Sequence, residues 1–107
     1  MPRVILTATT DAANSEPVIC GEPNRPVCFT CPGIGAGESA TLQRQNADGT
    51  WTTWTYDTVG DGSGTSVTPT ITSVNMGITL DVPGIFRIAK GATVGAVGVE
   101  VSTHYAP

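Results

Sequence analysis

The three cysteines are the side chains in this sequence best suited to chemistry. Cys20, Cys28 and Cys31 follow the spacing C-x7-C-x2-C, and the one histidine, His104, stands far downstream. Zinc takes four nitrogen or sulfur ligands, and paired C-x2-C knuckles are the persuasive pattern. A single knuckle with one distant cysteine falls short of that, so no metal site is expected. A disulfide is a second reading: Cys20 with Cys28 or with Cys31, because a bridge across only two intervening residues is strained. The third reading leaves all three reduced and buried, as small apolar side chains. A redox-active C-x-x-C would open a helix, and Pro32-Gly33 directly after Cys31 argues against one.

The remaining candidates are weaker. Asp57-x3-Asp61-Gly62-Ser63 offers oxygens to calcium, but the bidentate Glu that closes such a loop is missing; a glycine-rich turn is expected there. His104, close to the last residue of the sequence, is a poor place for general acid–base work. Asp61 stands two residues before Ser63, where a G-x-S-x-G elbow requires glycine. Gly33-x-Gly35-x-Gly37 has neither the spacing nor the lysine of a phosphate loop. No matched carboxylates single out a glycosidase pair. The expectation is therefore a protein that is not an enzyme, with no catalytic residues and no cofactor. Among the aromatics, Trp54 and Tyr56 alternate onto one face and Trp51 onto the other. Trp54 and Tyr56 are expected to anchor the core, and Trp51 to serve a partner or a sugar.

The elements that must position these residues are strands. Charged residues make up only 13% of the 107 residues, and seventeen threonines supply polarity instead. Threonine is β-branched and suits a pleated surface. Eight prolines and 13 glycines supply turns. Residues 4–10 read as a strand with Val4, Leu6 and Ala8 on one face, followed by a polar linker. Residues 17–32 hold four prolines and all the cysteines, which confines them to short edge-type strands at Val18–Cys20 and Val27–Thr30. Residues 38–45 and 50–57 flank Asn46-Ala47-Asp48-Gly49, a hairpin signal. Residues 66–73, with Pro69, make an edge strand at best. Residues 77–82 point Ile78, Leu80 and Val82 inward, Pro83-Gly84 is a type II turn pair, and residues 85–89 form the return strand. Residues 96–104 alternate, with Val97, Val99 and Val101 on one side.

These strands and turns define an all-β protein: a single compact antiparallel β-sandwich or barrel with an extended N-terminal segment and a Pro/Cys-rich loop. Residues 1–16 form the N-terminal strand and linker, and residues 17–107 the sandwich, one domain overall. The net charge of −4 and five scattered basic residues disfavour nucleic acid and an anionic membrane. No leader segment is expected, since residues 1–6 carry no long apolar run.

The stretch Leu80-Asp81-Val82-Pro83-Gly84-Ile85-Phe86-Arg87-Ile88-Ala89-Lys90-Gly91-Ala92-Thr93-Val94-Gly95-Ala96-Val97-Gly98-Val99 resembles the end of small structural proteins encoded beside the major capsid protein of tailed phages. Ala40-Thr41-Leu42-Gln43 and Asp48-Gly49-Thr50-Trp51 upstream are similar as well. The likeness covers roughly the last two-thirds of the chain and leaves out the Pro/Cys-rich segment. It implies a capsid decoration (cement) protein, a virion component on the capsid surface, assembled in the host cytoplasm. The implied partners are the major capsid protein and further copies of the chain, with no nucleic acid and no membrane. On that reading Arg3, Val4 and Ile5 of the arm, Pro23, Arg25 and Pro26 of the loop, and Trp51 touch partners. A tail, fibre or receptor-binding module that binds a glycan or host surface is the alternative.

Overall fold

Alternating apolar residues pair into two antiparallel sheets whose inner faces share one core. The computed structural model describes residues 3–21, 26–57 and 64–103. Twelve strands and no helix occur among the described residues: β1 Arg3–Thr9, β2 Ala13–Asn14, β3 Val18–Cys20, β4 Val27–Thr30, β5 Ala40–Gln45, β6 Trp51–Thr53, β7 Tyr56–Asp57, β8 Ser66–Val67, β9 Thr70–Ile71, β10 Gly77–Leu80, β11 Gly84–Lys90 and β12 Val97–Thr103. The first sheet runs β1-β12-β4-β10; the second runs β2-β11-β5-β6, with β3 also on β11 and β9 also on β5. β7 and β8 form a separate two-stranded ribbon.

The first sheet gives the core Ile5, Val27, Phe29, Ile78, Leu80, Val97, Val99 and Val101; the second gives Val18, Cys20, Ala40, Leu42, Ile71, Phe86 and Ile88. Side chains two apart in a strand share a face, so Val97-Val99-Val101 and Phe86-Ile88 each lie inward as the alternation requires. Fully burying one such side chain contributes about 1.5–3 kcal/mol, and this shared interior is what holds the sheets together.

Five features refine or depart from the sequence reading. Along β1 the core contact is Ile5, 3% exposed, whereas Val4 is 57% exposed and Ala8 also faces out. The pairing of β1 with β12 is interrupted between Val4 and Leu6 and again between Leu6 and Thr9. Gly98 sits at this irregularity, and a Cβ there would run into the Leu6 carbonyl oxygen and approach Ala8 N at 3.0 Å. Glycine thus lets the two backbones close up while Val4 and Ala8 turn outward and Leu6, half-buried, packs at the margin of the core.

Second, β4 is no edge strand. It pairs with β12 on one side and β10 on the other. Pro26 and Pro32 bracket it without entering it, so every N–H within it is free to bond. Third, β10 and β11 are no hairpin, because they belong to different sheets. The Pro83-Gly84 pair carries the chain from one sheet to the other. Gly84 has φ of +147°, and a Cβ there would lie 2.9 Å from the Phe86 ring, so only glycine fits the crossing.

Fourth, the 50–57 strand breaks. β6 pairs with β5 through the expected turn, where Gly49 N–H donates to Asn46 O at 3.0 Å and Thr50 N–H to the Asp48 carboxylate at 3.0 Å. After Thr53 the chain leaves that ladder and β7 pairs with β8. Fifth, Val82 is only half-buried, because β10 ends at Leu80.

The edge of β11 is shared by two short strands, with Ser15 between them. Ser15 N–H donates to Ile88 O at 2.9 Å, and Ile88 N–H donates to Ser15 Oγ at 2.9 Å. One serine side chain therefore keeps the ladder satisfied where the strand is interrupted.

Candidate binding surfaces

The tryptophans and Tyr56 fall into two groups, and neither occupies the centre of the core, which Phe29 and Phe86 fill. Trp54 N–H donates to Leu42 O at 2.9 Å, which fixes its backbone beside the second sheet. Its ring stands edge-on to the buried Phe86, centroids 6.2 Å apart at 81°, and meets Tyr56 at 6.0 Å and 35°. Trp54 is half-buried and Tyr56 is 46% exposed. The pair thus flanks the core instead of filling it, because the chain turns out of the ladder after Thr53. Between this pair, β8–β9 and the end of β10 lies an open cleft of about 480 Å³. Thr68, Asn75, Thr79 and Asp81 supply its polar groups. The Asn75 side-chain N–H donates to Thr70 O at 3.0 Å, and the Asn75 backbone N–H donates to Thr72 Oγ1 at 3.0 Å. Sequence alternation concealed this cleft by placing Trp54 and Tyr56 inside; the break after Thr53 has no proline or glycine to announce it.

Trp51 lies on the outer face of the second sheet. The Arg87 guanidinium covers its ring, 4.2 Å from the centroid, and Arg87 Nε–H donates to Gln43 Oε1 at 2.7 Å. That stack leaves Trp51 half-buried, with one face already taken by a cation.

The outward row of β1 forms a second surface. Val4, Leu6 and Ala8 line a shallow cleft of about 170 Å³ with Pro32 and Ala96. Arg3 pairs with Glu16 at 3.6 Å, both largely exposed, an arrangement that contributes little to stability. Ile5 points into the core and cannot meet a partner. Pro26 is half-buried ahead of β4. Pro23 and Arg25 lie outside the described residues, as do His104, Tyr105 and the Asp61–Ser63 part of the calcium reading. Among the described residues no group of three His, Cys, Asp or Glu is placed to hold a metal. No protein-family model matches the chain, and neither does any curated protein or solved structure.

All three cysteines are free thiols, and the fold keeps them apart. Cys20 pairs with Gly84 at one end of β11. Cys31 feels the charge of Lys90, at the other end. Roughly 20 Å of strand separates those two ends of β11 at ~3.3 Å per residue; Cys20 belongs to the second sheet and Cys31 follows a strand of the first. Cys28 alternates with the inward Val27 and Phe29 and sits beside Gly77 on the outer side. Burial pushes both the Cys20 and the Cys31 thiols up to about 11, Lys90 opposing the effect at Cys31. The folded state therefore favours the neutral thiols, whereas the unfolded chain ionises near 9.0. Their stabilising effect is complete below pH 9 and is lost as pH climbs from 9 toward 11. Two readouts follow. The urea midpoint of the Cys20→Ala/Cys31→Ala variant should fall less steeply above pH 9 than that of the parent. At pH 8 a thiol reagent should modify Cys20 and Cys31 of the native protein slowly and all three cysteines rapidly after unfolding. Rapid native modification of either buried thiol would contradict this placement.

The sequence reading missed a polar node at the end of β11. Phe86, Ile88 and Lys90 alternate inward, so Lys90 is carried into the interior and is 3% exposed. Its ammonium donates to Asp11 O at 2.8 Å, Gly91 O at 2.9 Å and Thr93 Oγ1 at 3.2 Å. Thr93 Oγ1–H in turn donates to Gly95 O at 2.7 Å. Nearby, the Glu38 carboxylate accepts from Val94 N–H at 2.7 Å and Gly35 N–H at 2.6 Å. Those two bonds, Val94 foremost, hold its carboxyl below the ordinary value of 4.5. These bonds clamp the loops after β1 and β11 to the end of the sheet, and no buried side-chain N or O among the described residues is left without a partner.

Proposed function

We propose that the chain is a non-enzymatic virion structural protein, a capsid decoration protein that binds the outer surface of the shell and stabilises it. The observation that carries this reading is the outward apolar row of β1. A strand that buries one residue and exposes Val4 beside Leu6, Ala8, Pro32 and Ala96 presents adhesive surface on a sheet edge. Exposed apolar patches mark contact surfaces, and Ile19, 83% exposed on β3, is a second exposed apolar side chain, on the other sheet. The resemblance of residues 80–99 to proteins encoded beside the major capsid protein supplies the partner. A ligand that binds only the assembled state stabilises it by mass action, so adhesion suffices and chemistry is not required. Repeated contacts on a symmetric shell suit homo-oligomers. The acidic surface, net charge −4, fits a protein partner better than nucleic acid or an anionic membrane.

The test is stoichiometric. Virus particles purified from the source of the gene should carry this chain at a copy number close to that of the major capsid protein. Particles that lack it should rebind the purified protein and resist heat better once coated. The double variant Val4→Asp/Ala8→Asp, substituted at exposed positions, should fold normally and lose that rebinding. A few copies at one vertex would instead favour the tail or receptor-binding alternative. Absence from particles would overturn both.

A further inference from the structure

We propose that the cleft between the Trp54–Tyr56 pair and Asp81 is a binding site for neutral carbohydrate. The proposal stands independently of the capsid reading and places the site away from Trp51, whose ring Arg87 already covers.

Volume and lining come first. The cleft, about 480 Å³, lies within the ~300–1,000 Å³ typical of small-molecule sites. Its lining joins the Trp54–Tyr56 pair and apolar residues such as Val67, Ile78 and Val82 to the hydroxyls of Thr68, Thr70 and Thr79, one amide and one carboxylate. A pyranose has the matching duality. Its axial C–H groups form an apolar face that lies against an aromatic ring, and its equatorial hydroxyls both donate and accept hydrogen bonds. Asp81 accepts only, the Asn75 amide donates and accepts, and Thr68 and Thr79 do both. Asp81 has no ion pair among the described residues, so its oxygens remain available to hydroxyl donors.

Other ligand classes fit less well. A quaternary ammonium needs rings on several sides, and two rings 6.0 Å apart at 35° form one wall. A wholly apolar ligand would cover Asp81 and Asn75 without partners, at the cost of their desolvation. An acidic sugar would meet both Asp81 and a net charge of −4, so neutral saccharides are favoured.

The wall is also preorganised, which limits the ordering that binding must impose. Trp54 is fixed by its backbone bond to Leu42 and by the Phe86 edge. Tyr56 is held opposite Val67 in the β7–β8 ribbon. The turn bearing Asn75 is closed by Thr72 N–H donating to Asn75 O at 2.8 Å.

The test applies the whole chain to an array of neutral hexose and N-acetylhexosamine oligosaccharides, alongside sialylated and sulfated ones and a proline-rich peptide. Retention of at least one neutral class is expected, followed by titration of that oligosaccharide. Tyr56→Ala and Asp81→Ala, both exposed positions that leave the core intact, should each raise Kd at least tenfold. Trp51→Phe should leave it within twofold. The proposal is overturned by retention of no saccharide, by retention of acidic ones only, by capture of the peptide alone, or by saccharide binding that survives both cleft substitutions.

Discussion

Replacing Phe86 by alanine should lower the stability of the protein by about 4 kcal/mol, a drop of roughly 20 °C in Tm. Phe86 is fully buried, so the substitution removes apolar contacts and leaves a cavity, and both terms act in the same direction. It also sits where several elements meet. Its backbone pairs with Val18 of β3 and Arg44 of β5. Its ring takes the edge of Trp54, and the Arg44 guanidinium lies 5.9 Å from its centroid. Loss of the ring should therefore loosen Trp54, visible as a red shift of tryptophan emission below the unfolding transition. Phe86→Leu, which keeps most of the volume, should cost about 1–1.5 kcal/mol. Denaturant unfolding of the three proteins measures this directly. A loss below 1 kcal/mol for Phe86→Ala would mean that Phe86 is not the keystone described above.

Lys90→Met should cost about 3 kcal/mol, even though methionine fills nearly the same space and is the more apolar residue. The reason is what the ammonium leaves behind. Asp11 O, Gly91 O and Thr93 Oγ1 accept from it at 2.8, 2.9 and 3.2 Å, and a buried acceptor stripped of its donor carries its full desolvation penalty. Lys90→Arg should not restore stability, because a planar fork does not substitute for a compact point charge among three converging oxygens. Thr93→Val, which removes one acceptor of the ammonium and the donor to Gly95 O while Thr93 N–H still donates to Thr10 O at 3.0 Å, should lose less than Lys90→Met, about 2 kcal/mol. Chemical denaturation at pH 7 ranks the three variants. A Met variant as stable as the parent would show that the loops after β1 and β11 hold without the clamp.

How far the sequence could be read depended on the physical scale of each signal. The sheets were legible because their signal is local and repeated: Val97-Val99-Val101 alternates without interruption, and Asn46 to Gly49 has one good conformation. Which sheet a strand joins is not local. Val27–Thr30 looked like an edge because prolines surround it, yet its own four residues all carry N–H groups and can bond on both sides. The Pro83-Gly84 pair was recognisable as a turn, but whether it returns along one sheet or crosses to the other depends on partners forty or more residues away. The cleft was hidden for a related reason. Alternation placed Trp54 and Tyr56 inside, and only the departure of β7 from the ladder brings them to the surface. Lys90 was legible in principle, since the Phe86-Ile88 alternation runs straight through it, but a lysine is ordinarily assigned to solvent.

Among the described residues β1 has β12 as its one strand partner, so β1 waits for a strand synthesised some ninety residues later. Until residues 97–103 arrive, Ile5 has no neighbouring strand and Phe29 lacks one flank of its sheet. Closing a loop of some ninety residues costs entropy that the nearer contacts of β1, Glu16 N–H donating to Ile5 O at 2.8 Å and the exposed Arg3–Glu16 pair, offset only in small part, and folds dominated by such distant pairings assemble in milliseconds to seconds. During translation, then, Val4 and Ala8, which face outward in the finished protein, and Ile5 and Phe29, meant for its interior, are exposed together on an incomplete chain. The edge proposed above as a contact surface is also the one that a ribosome-bound intermediate must keep from adhering too soon.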